Sequence, residues 1–295
     1  MAVEGAARHK IGIEGALDLK ATLRPLHGLF ADDGWWMTAD TPLGPASLRI
    51  TRTTDEVVGD AWGEGGSWML DRLGSIAGLE DDPARFETDH PLVADLHRRS
   101  PGWRFGRSSQ VFRALTYAIC GQKVTGQQAM ASVRGLRERF GAPAPGPRGL
   151  RLPADPRQMA SAPYWVYHEL HLEKRRADVL RQVAASATDI DALVGVDTGT
   201  AAARLEAIPG VGVWTVAKTL SVSHGDPDQV EVGDFHLKHM VVHHLTGRPR
   251  GSDEEMLELL EPFRPHRGRV TRLLHTLGHE PSFGPRLATK DYTRI

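Results

Sequence analysis

Leu-Glu-Ala-Ile-Pro-Gly-Val-Gly-Val-Trp-Thr-Val-Ala, residues 205–217, decides how the 295-residue chain is read. An apolar-periodic helix runs into Ile208, Pro209-Gly210-Val211-Gly212 makes a tight turn, and a second helix starts near Gly212. Gly210 and Gly212 permit positive φ and leave the backbone N–H groups uncovered. Those donors then sit at the N-terminus of the second helix, where the dipole also favours an anion such as a backbone phosphate. The same residues would equally serve as a helix–helix turn with no ligand, because Gly and Pro punctuate many loops.

Twenty positions beyond Trp214 the chain reads Val232-Gly-Asp-Phe-His-Leu-Lys238. An apolar approach ends in Asp234 at the start of a predicted helix over residues 234–245. Aspartate at that place is an N-cap. A helix N-terminus also keeps a carboxylate ionised, which electrostatic catalysis requires. On the capping reading alone, Asp234→Asn costs only a few tenths of a kcal/mol, since asparagine caps about as well.

Outward from this pair the chain divides. Residues 1–90 carry short segments, among them 12–19 and 46–53, between Gly, Asp and Pro clusters, and predict strands and hairpins with one helix over 67–78. From residue 91 the pattern is helical. Residues 111–140 repeat apolar side chains at three- and four-residue spacing, with breaks near Gly121 and Gly126. Residues 141–157, with five prolines, form a loop. Helices resume over 172–187, 200–207, 214–222, 253–260 and 267–277. The expectation is a mainly α chain: a small N-terminal α+β domain (1–90) and a helical region (91–295).

Composition bounds the function. Hydrophobic residues at 40% and charged ones at 25% are ordinary for a globular chain. A net charge of −1 gives no global signature of nucleic acid or an anionic membrane, and a local basic face suffices for either. Absence of a long apolar run and of a signal-like start points to a cytoplasmic protein without a membrane partner. The single cysteine, Cys120, rules out an internal disulfide and any several-cysteine zinc or iron–sulfur site; in its apolar stretch it reads as a small buried residue. His239 and His243 lie one helical turn apart without the intervening Glu of a zinc-protease motif, so the run His236, His239, His243, His244 reads as surface histidines. Residues 261–295 hold seven Lys/Arg against three acidic residues. Arg264, Arg267 and Arg269 there could reach phosphates or pair with local carboxylates.

The hairpin followed at this spacing by Gly-Asp-Phe-His closely resembles the helix-hairpin-helix superfamily of DNA glycosylases, most nearly its DNA-3-methyladenine glycosylase II type. Upstream, Phe112-Arg-Ala-Leu-Thr-Tyr-Ala-Ile-Cys-Gly-Gln-Lys-Val-Thr-Gly-Gln-Gln-Ala129 is similar to that family's helix leading into a Gly-Gln-x-Val element. Leu172-Glu-Lys-Arg-Arg-Ala-Asp-Val-Leu180 is similar to its segment before the hairpin, and the N-terminal unit to its accessory domain.

The resemblance implies a helix-hairpin-helix glycosylase bundle of two helical subdomains flanking an active-site cleft. It implies Asp234 as catalytic aspartate, and Ile208, Pro209, Gly210, Val211, Gly212 and Thr215 as the phosphate-gripping hairpin. A monovalent cation on the carbonyls of residues 208–212 goes with it, and no other cofactor is required. Gln122 and Lys123 fall on the loop that enters the duplex; Lys123 departs from the usual apolar wedge. Trp214 stands where lyase-competent branches carry a Schiff-base lysine, which implies a monofunctional enzyme. Lys218 stands where an aromatic pocket residue is expected. The implied activity is excision of alkylated purines from double-stranded DNA by a monomer in base excision repair. Excision of an oxidised or deaminated base, and DNA binding without catalysis, are the alternatives. Trp214 is either a face for a cationic base or a core residue.

Overall fold

The computed structural model describes residues 5–278. The predicted basic stretch 261–295 therefore lies partly outside the described residues. The chain opens on β1 (Ala7–Gly12), passes through α1 (Leu19–Leu23), and continues with β2 (Leu29–Ala31), β3 (Gly34–Thr41), β4 (Gly44–Arg52) and β5 (Glu56–Trp62). The five strands form one antiparallel sheet in the order β1-β5-β4-β3-β2. The strand expected over 46–53 coincides with β4 except at its last residue. That expected over 12–19 is corrected: the strand ends at Gly12, and Asp18 instead caps α1, its carboxylate accepting from the Ala21 N–H. The real edge strand, Ala-Arg-His-Lys-Ile-Gly, is mostly exposed and held by charge, with Arg8 on Asp60 at 2.6 Å and Lys10 on Glu56 at 2.8 Å. A charged edge also discourages pairing with another chain.

The single helix expected over 67–78 is two short ones, α2 (Gly66–Asp71) and α3 (Leu73–Ile76). They break at Arg72, whose φ of −103° and ψ of 6° are not helical. The break lets Met69, Leu70, Leu73 and Ile76 all face the sheet, where they complete the first core with Trp35, Met37, Leu48 and Ile50.

The helices continue as α4 (Pro91–Arg99), α5 (Val111–Cys120), α6 (Gly126–Phe140), α7 (Pro156–Ser161), α8 (Tyr164–Glu169), α9 (Lys174–Ala185), α10 (Ala187–Asp191), α11 (Thr198–Glu206), α12 (Val213–Ser223), α13 (Leu237–Thr246), α14 (Asp253–Leu260) and α15 (Arg267–His275). No helix among the described residues is long and apolar enough to cross a membrane. A second core runs through α5 to α12 and buries Leu115, Ile119, Leu136, Tyr167, Leu180, Leu205 and Leu220. A third joins Val93 and Leu96 of α4 to Leu237, Met240, Met256, Leu260, Val270 and Leu274 of α13–α15. Helices α5 and α12 also lend Ala114 and Val222 to the sheet core, so they are the beams between the first two cores.

Four basic residues of the 261–295 stretch turn inward or pair locally. Arg264 and Arg267 meet Asp228 at 3.1 and 2.7 Å. Arg269, buried, grips Asp81 at 2.6 Å, and the Arg272 guanidinium lies over Phe105. Arg269 thus ties the third core to the chain before α4, and the other three pair within the fold rather than forming an open basic face.

Candidate functional site

The hairpin of residues 205–217 connects α11 to α12. Ile208 and Val211 pack into the second core, while Pro209, Gly210 and Gly212 are exposed. Gly210 has φ +89°, and an added Cβ would lie 2.4 Å from Val179 Cγ2, so only glycine fits. Gly212 does not use the positive φ open to it: it is extended (φ −107°, ψ 177°) and acts as the N-cap of α12 without a side chain to cover the first turn. The first-turn N–H groups that follow have no intrahelical acceptor and an open approach. The Thr215 side chain is buried and turned inward, where its Oγ1 accepts from Gln122 Nε2 at 2.9 Å.

Gln122 also donates to Gly210 O at 3.0 Å. The loop between α5 and α6 is thereby fastened to the hairpin, and Gln122 faces the protein rather than the outside. Lys123, next in the loop, is exposed with φ +55°. Beneath the loop the buried Arg176 donates to Cys120 O at 2.9 Å, at the end of α5. Cys120 is fully buried, which pushes its thiol up to about 12, so it is no nucleophile.

Asp234 stands where the second and third cores meet. It lies in the turn before α13, which starts at Leu237 and not at 234 as the sequence suggested. Gly233, at φ +88°, makes that turn. Asp234 Oδ1 accepts the N–H groups of His236 and Leu237 at 2.9 and 3.0 Å, so the carboxylate fastens the turn into α13, whose N-cap position is held by His236 and not by Asp234 as the sequence suggested. Its other oxygen, Oδ2, accepts from Trp214 Nε1 at 3.1 Å, across the seam. Burial pushes the carboxyl up. The two backbone donors, the indole and the nearby Lys218 charge outweigh it and hold the group below the ordinary carboxylate range. Asp234 is thus a half-buried anion at neutral pH.

Lys218, one turn along α12 from Trp214, places its ammonium 5.7 Å from the Trp214 ring centroid and 3.0 Å from Glu231 Oε1. Two neighbours escaped the sequence reading. Glu231 had no signal beyond its nearness to Asp234. His27, from the segment after α1, stacks on Tyr117 of α5 with centroids 3.8 Å apart. Burial first, then the charges of Arg113 and Lys218, hold this histidine down at about 3, so it is neutral. The site therefore draws on all three cores. The predicted residues Asp234, Trp214 and Lys218 come together directly, and Gln122 joins them through the hairpin. Lys123 stands apart on the loop surface.

No protein-family model matches the sequence, and no curated protein matches it. Solved structures do. The 3-methyladenine DNA glycosylase from Archaeoglobus fulgidus is 18% identical, with 90% of this chain and 97% of that chain covered, at a TM-score of 0.75. The chain adopts the helix-hairpin-helix DNA glycosylase fold. The 8-oxoguanine glycosylase/lyase of Clostridium acetobutylicum, solved with double-stranded DNA containing cytosine opposite 8-oxoguanine, is 14% identical over 93% of this chain and 97% of that one, at a TM-score of 0.71. The likeness thus spans about nine-tenths of the chain.

Among the described residues no group of three or more His, Cys, Asp or Glu could hold a metal. His239 is occupied as an acceptor for the Gly251 N–H. In the hairpin, the carbonyls of Ile208, Gly210 and Gly212 accept from Val211, Gln122 and Val216. Each carbonyl oxygen has a second lone pair, so this backbone remains compatible with a monovalent cation.

Proposed function

We propose that the protein is a monofunctional DNA glycosylase that extrudes and excises alkylated purines, of the 3-methyladenine type, from double-stranded DNA. The observation that carries this reading is the Asp234 carboxylate, held ionised at the seam by the turn into α13 and by Trp214. A base stacked in a duplex is out of reach and must be rotated out. Once it is out, Asp234 can stabilise the positive sugar that forms as the C1′–N bond breaks, because a fixed anion in a partly dry site is strong. The base takes the electron pair of that bond, and water adds to C1′ with loss of a proton.

An ionised Asp234 cannot protonate the departing base. This suits purines alkylated at N3 or N7, whose ring is already cationic and leaves neutral. The Trp214 indole offers an electron-rich face for such a ring. The hairpin N–H groups are suited to a backbone phosphate, and a monovalent cation on the carbonyls of residues 208–212 would add positive charge there without touching the bond that breaks. Trp214 carries no amine for an imine, and the nearest amine, Lys218, is engaged by Glu231.

That same Lys218 supports a second reading. An ammonium over the Trp214 face repels a cationic ring and would suit an uncharged oxidised or deaminated base. The deciding experiment is a panel of single-lesion duplexes with detection of the released base. Release of 3-methyladenine and 7-methylguanine with the strand left intact is expected. Release confined to neutral lesions would replace the alkylpurine reading, and binding without any release would replace the enzyme by a binding protein. The protein is expected to act as a monomer.

A further inference from the structure

Phe235, the residue after Asp234, is 67% exposed, the most exposed of the large apolar side chains among the described residues. Its ring contacts are edge-on to His236 and His239, with centroids 4.9 and 6.4 Å away. It packs into none of the three cores. On the other side of the seam Val213, the first residue of α12, is 52% exposed. Phe235 follows Asp234 and Val213 precedes Trp214, so each partner of the Trp214–Asp234 hydrogen bond has an exposed apolar residue next to it in the chain.

Folding gives no reason for a phenyl ring there. The loop expected to enter the duplex offers Lys123, whose ammonium is costly to strip of water between bases. A rotated nucleotide leaves its neighbours unstacked, and an unstacked base presents a flat apolar face to any aromatic ring within reach. We infer that Phe235, supported by Val213, is the DNA-contacting residue that packs on the nucleotide beside the extruded one and so stabilises the opened duplex. This rests on the glycosylase reading and adds a recognition residue to the same site. Because the contact forms only with opened DNA, Phe235 raises affinity for extruded states and leaves binding to intact duplex to the backbone-facing hairpin.

The test compares the parent, Phe235→Ser and Phe235→Tyr on two duplexes, one with a tetrahydrofuran abasic analogue and one intact, by fluorescence anisotropy at fixed salt. Phe235→Ser is expected to weaken binding to the abasic duplex about fivefold or more, the low end of one stacked aromatic contact. Binding to the intact duplex should change by less than about twofold. Phe235→Tyr should restore the difference, and all three should melt together, since the ring is outside the cores. Equal loss on both duplexes, or no loss on either, overturns the inference. Should the parent excise a lesion while Phe235→Ser binds the abasic duplex unchanged, the inference falls and the glycosylase reading stands. Should the parent neither excise nor prefer the abasic duplex, both fall.

Discussion

Asp234→Asn separates the two jobs of this side chain, and the structure sets the size of each. The turn into α13 survives, because one amide oxygen can still accept from the His236 and Leu237 N–H groups. The amide nitrogen must then face Trp214 Nε1, a donor against a donor where a 3.1 Å hydrogen bond stood. The cost is therefore more than the few tenths of a kcal/mol expected from capping alone. A half-buried hydrogen bond to a charged group contributes about 1.5–3 kcal/mol, and water can reach the freed indole, so about 1 kcal/mol remains. For a chain of this size that lowers Tm by about 2–4 °C.

The catalytic loss is larger. A unit charge about 4 Å from a developing cation at an effective dielectric of about 20 stabilises it by about 4 kcal/mol. Removal of one preorganised group commonly costs about 10²–10³ in rate. Single-turnover release of 3-methyladenine at saturating enzyme should therefore fall at least a hundredfold, with affinity for abasic duplex retained. Trp214→Phe is the control: it removes the donor and keeps the charge, so its carboxyl rises and the acid limb of its pH–rate profile moves up. An Asp234→Asn enzyme that excises within about threefold of the parent would refute the electrostatic role.

Three other outcomes are expected. Gly212→Asp should fold normally, because a Cβ there meets nothing within 4 Å and φ is −107°, yet lose about tenfold or more in DNA affinity by anisotropy; unchanged binding would remove the hairpin from the interface. Borohydride added to the parent on a lesion duplex should trap no protein–DNA adduct, and an adduct on a gel would assign an imine to Lys218 or Lys123. His27→Asn should change the pH dependence of stability: the parent histidine, held near 3 against about 6.5 when unfolded, binds a proton in the unfolded chain first, so it costs nothing above about pH 6.5 and progressively more as pH falls towards 3. Asparagine tolerates the φ of +57°, and its denaturation profile between pH 4 and 6 should be flatter by up to about 1.4 kcal/mol per pH unit; identical slopes would refute the neutral, buried assignment.

The hairpin was legible because its signals are local. Pro209 and the glycines punctuate two amphipathic helices, and Asp234 announces a helix start three residues on. The strands were harder. β3 is buried on both faces along most of its length, so the alternation that marks a strand is missing. β1 is a charged edge whose pairing depends on Asp60 and Glu56, some fifty residues away. Residues 12–19 look strand-like because Ile13, Leu17 and Leu19 reach the sheet core from a loop and a short helix. In the site, Asp234 and Trp214 could be read from spacing. The inward turn of Gln122 and Thr215 could not, because it depends on the loop after α5 meeting the hairpin nearly ninety residues later. The same holds for His27 on Tyr117.

The third core is discontinuous along the chain. Phe86, Val93 and Leu96 find most of their core partners in residues 230–274, and Arg269 closes on Asp81 across 188 positions. As the protein emerges from a ribosome, α4 is made early and cannot complete its core until α15 follows. The intervening α5–α12 bundle can settle first, since its contacts lie within itself and the sheet. The late-closing part meets the early part on α12, through Glu231 on Lys218 and Asp234 on Trp214. A nascent or prematurely ended chain can therefore hold a finished hairpin, able to meet DNA phosphates, before its carboxylate is in place. On the glycosylase reading proposed above, assembly order itself would keep bond-breaking capacity for the completed polypeptide.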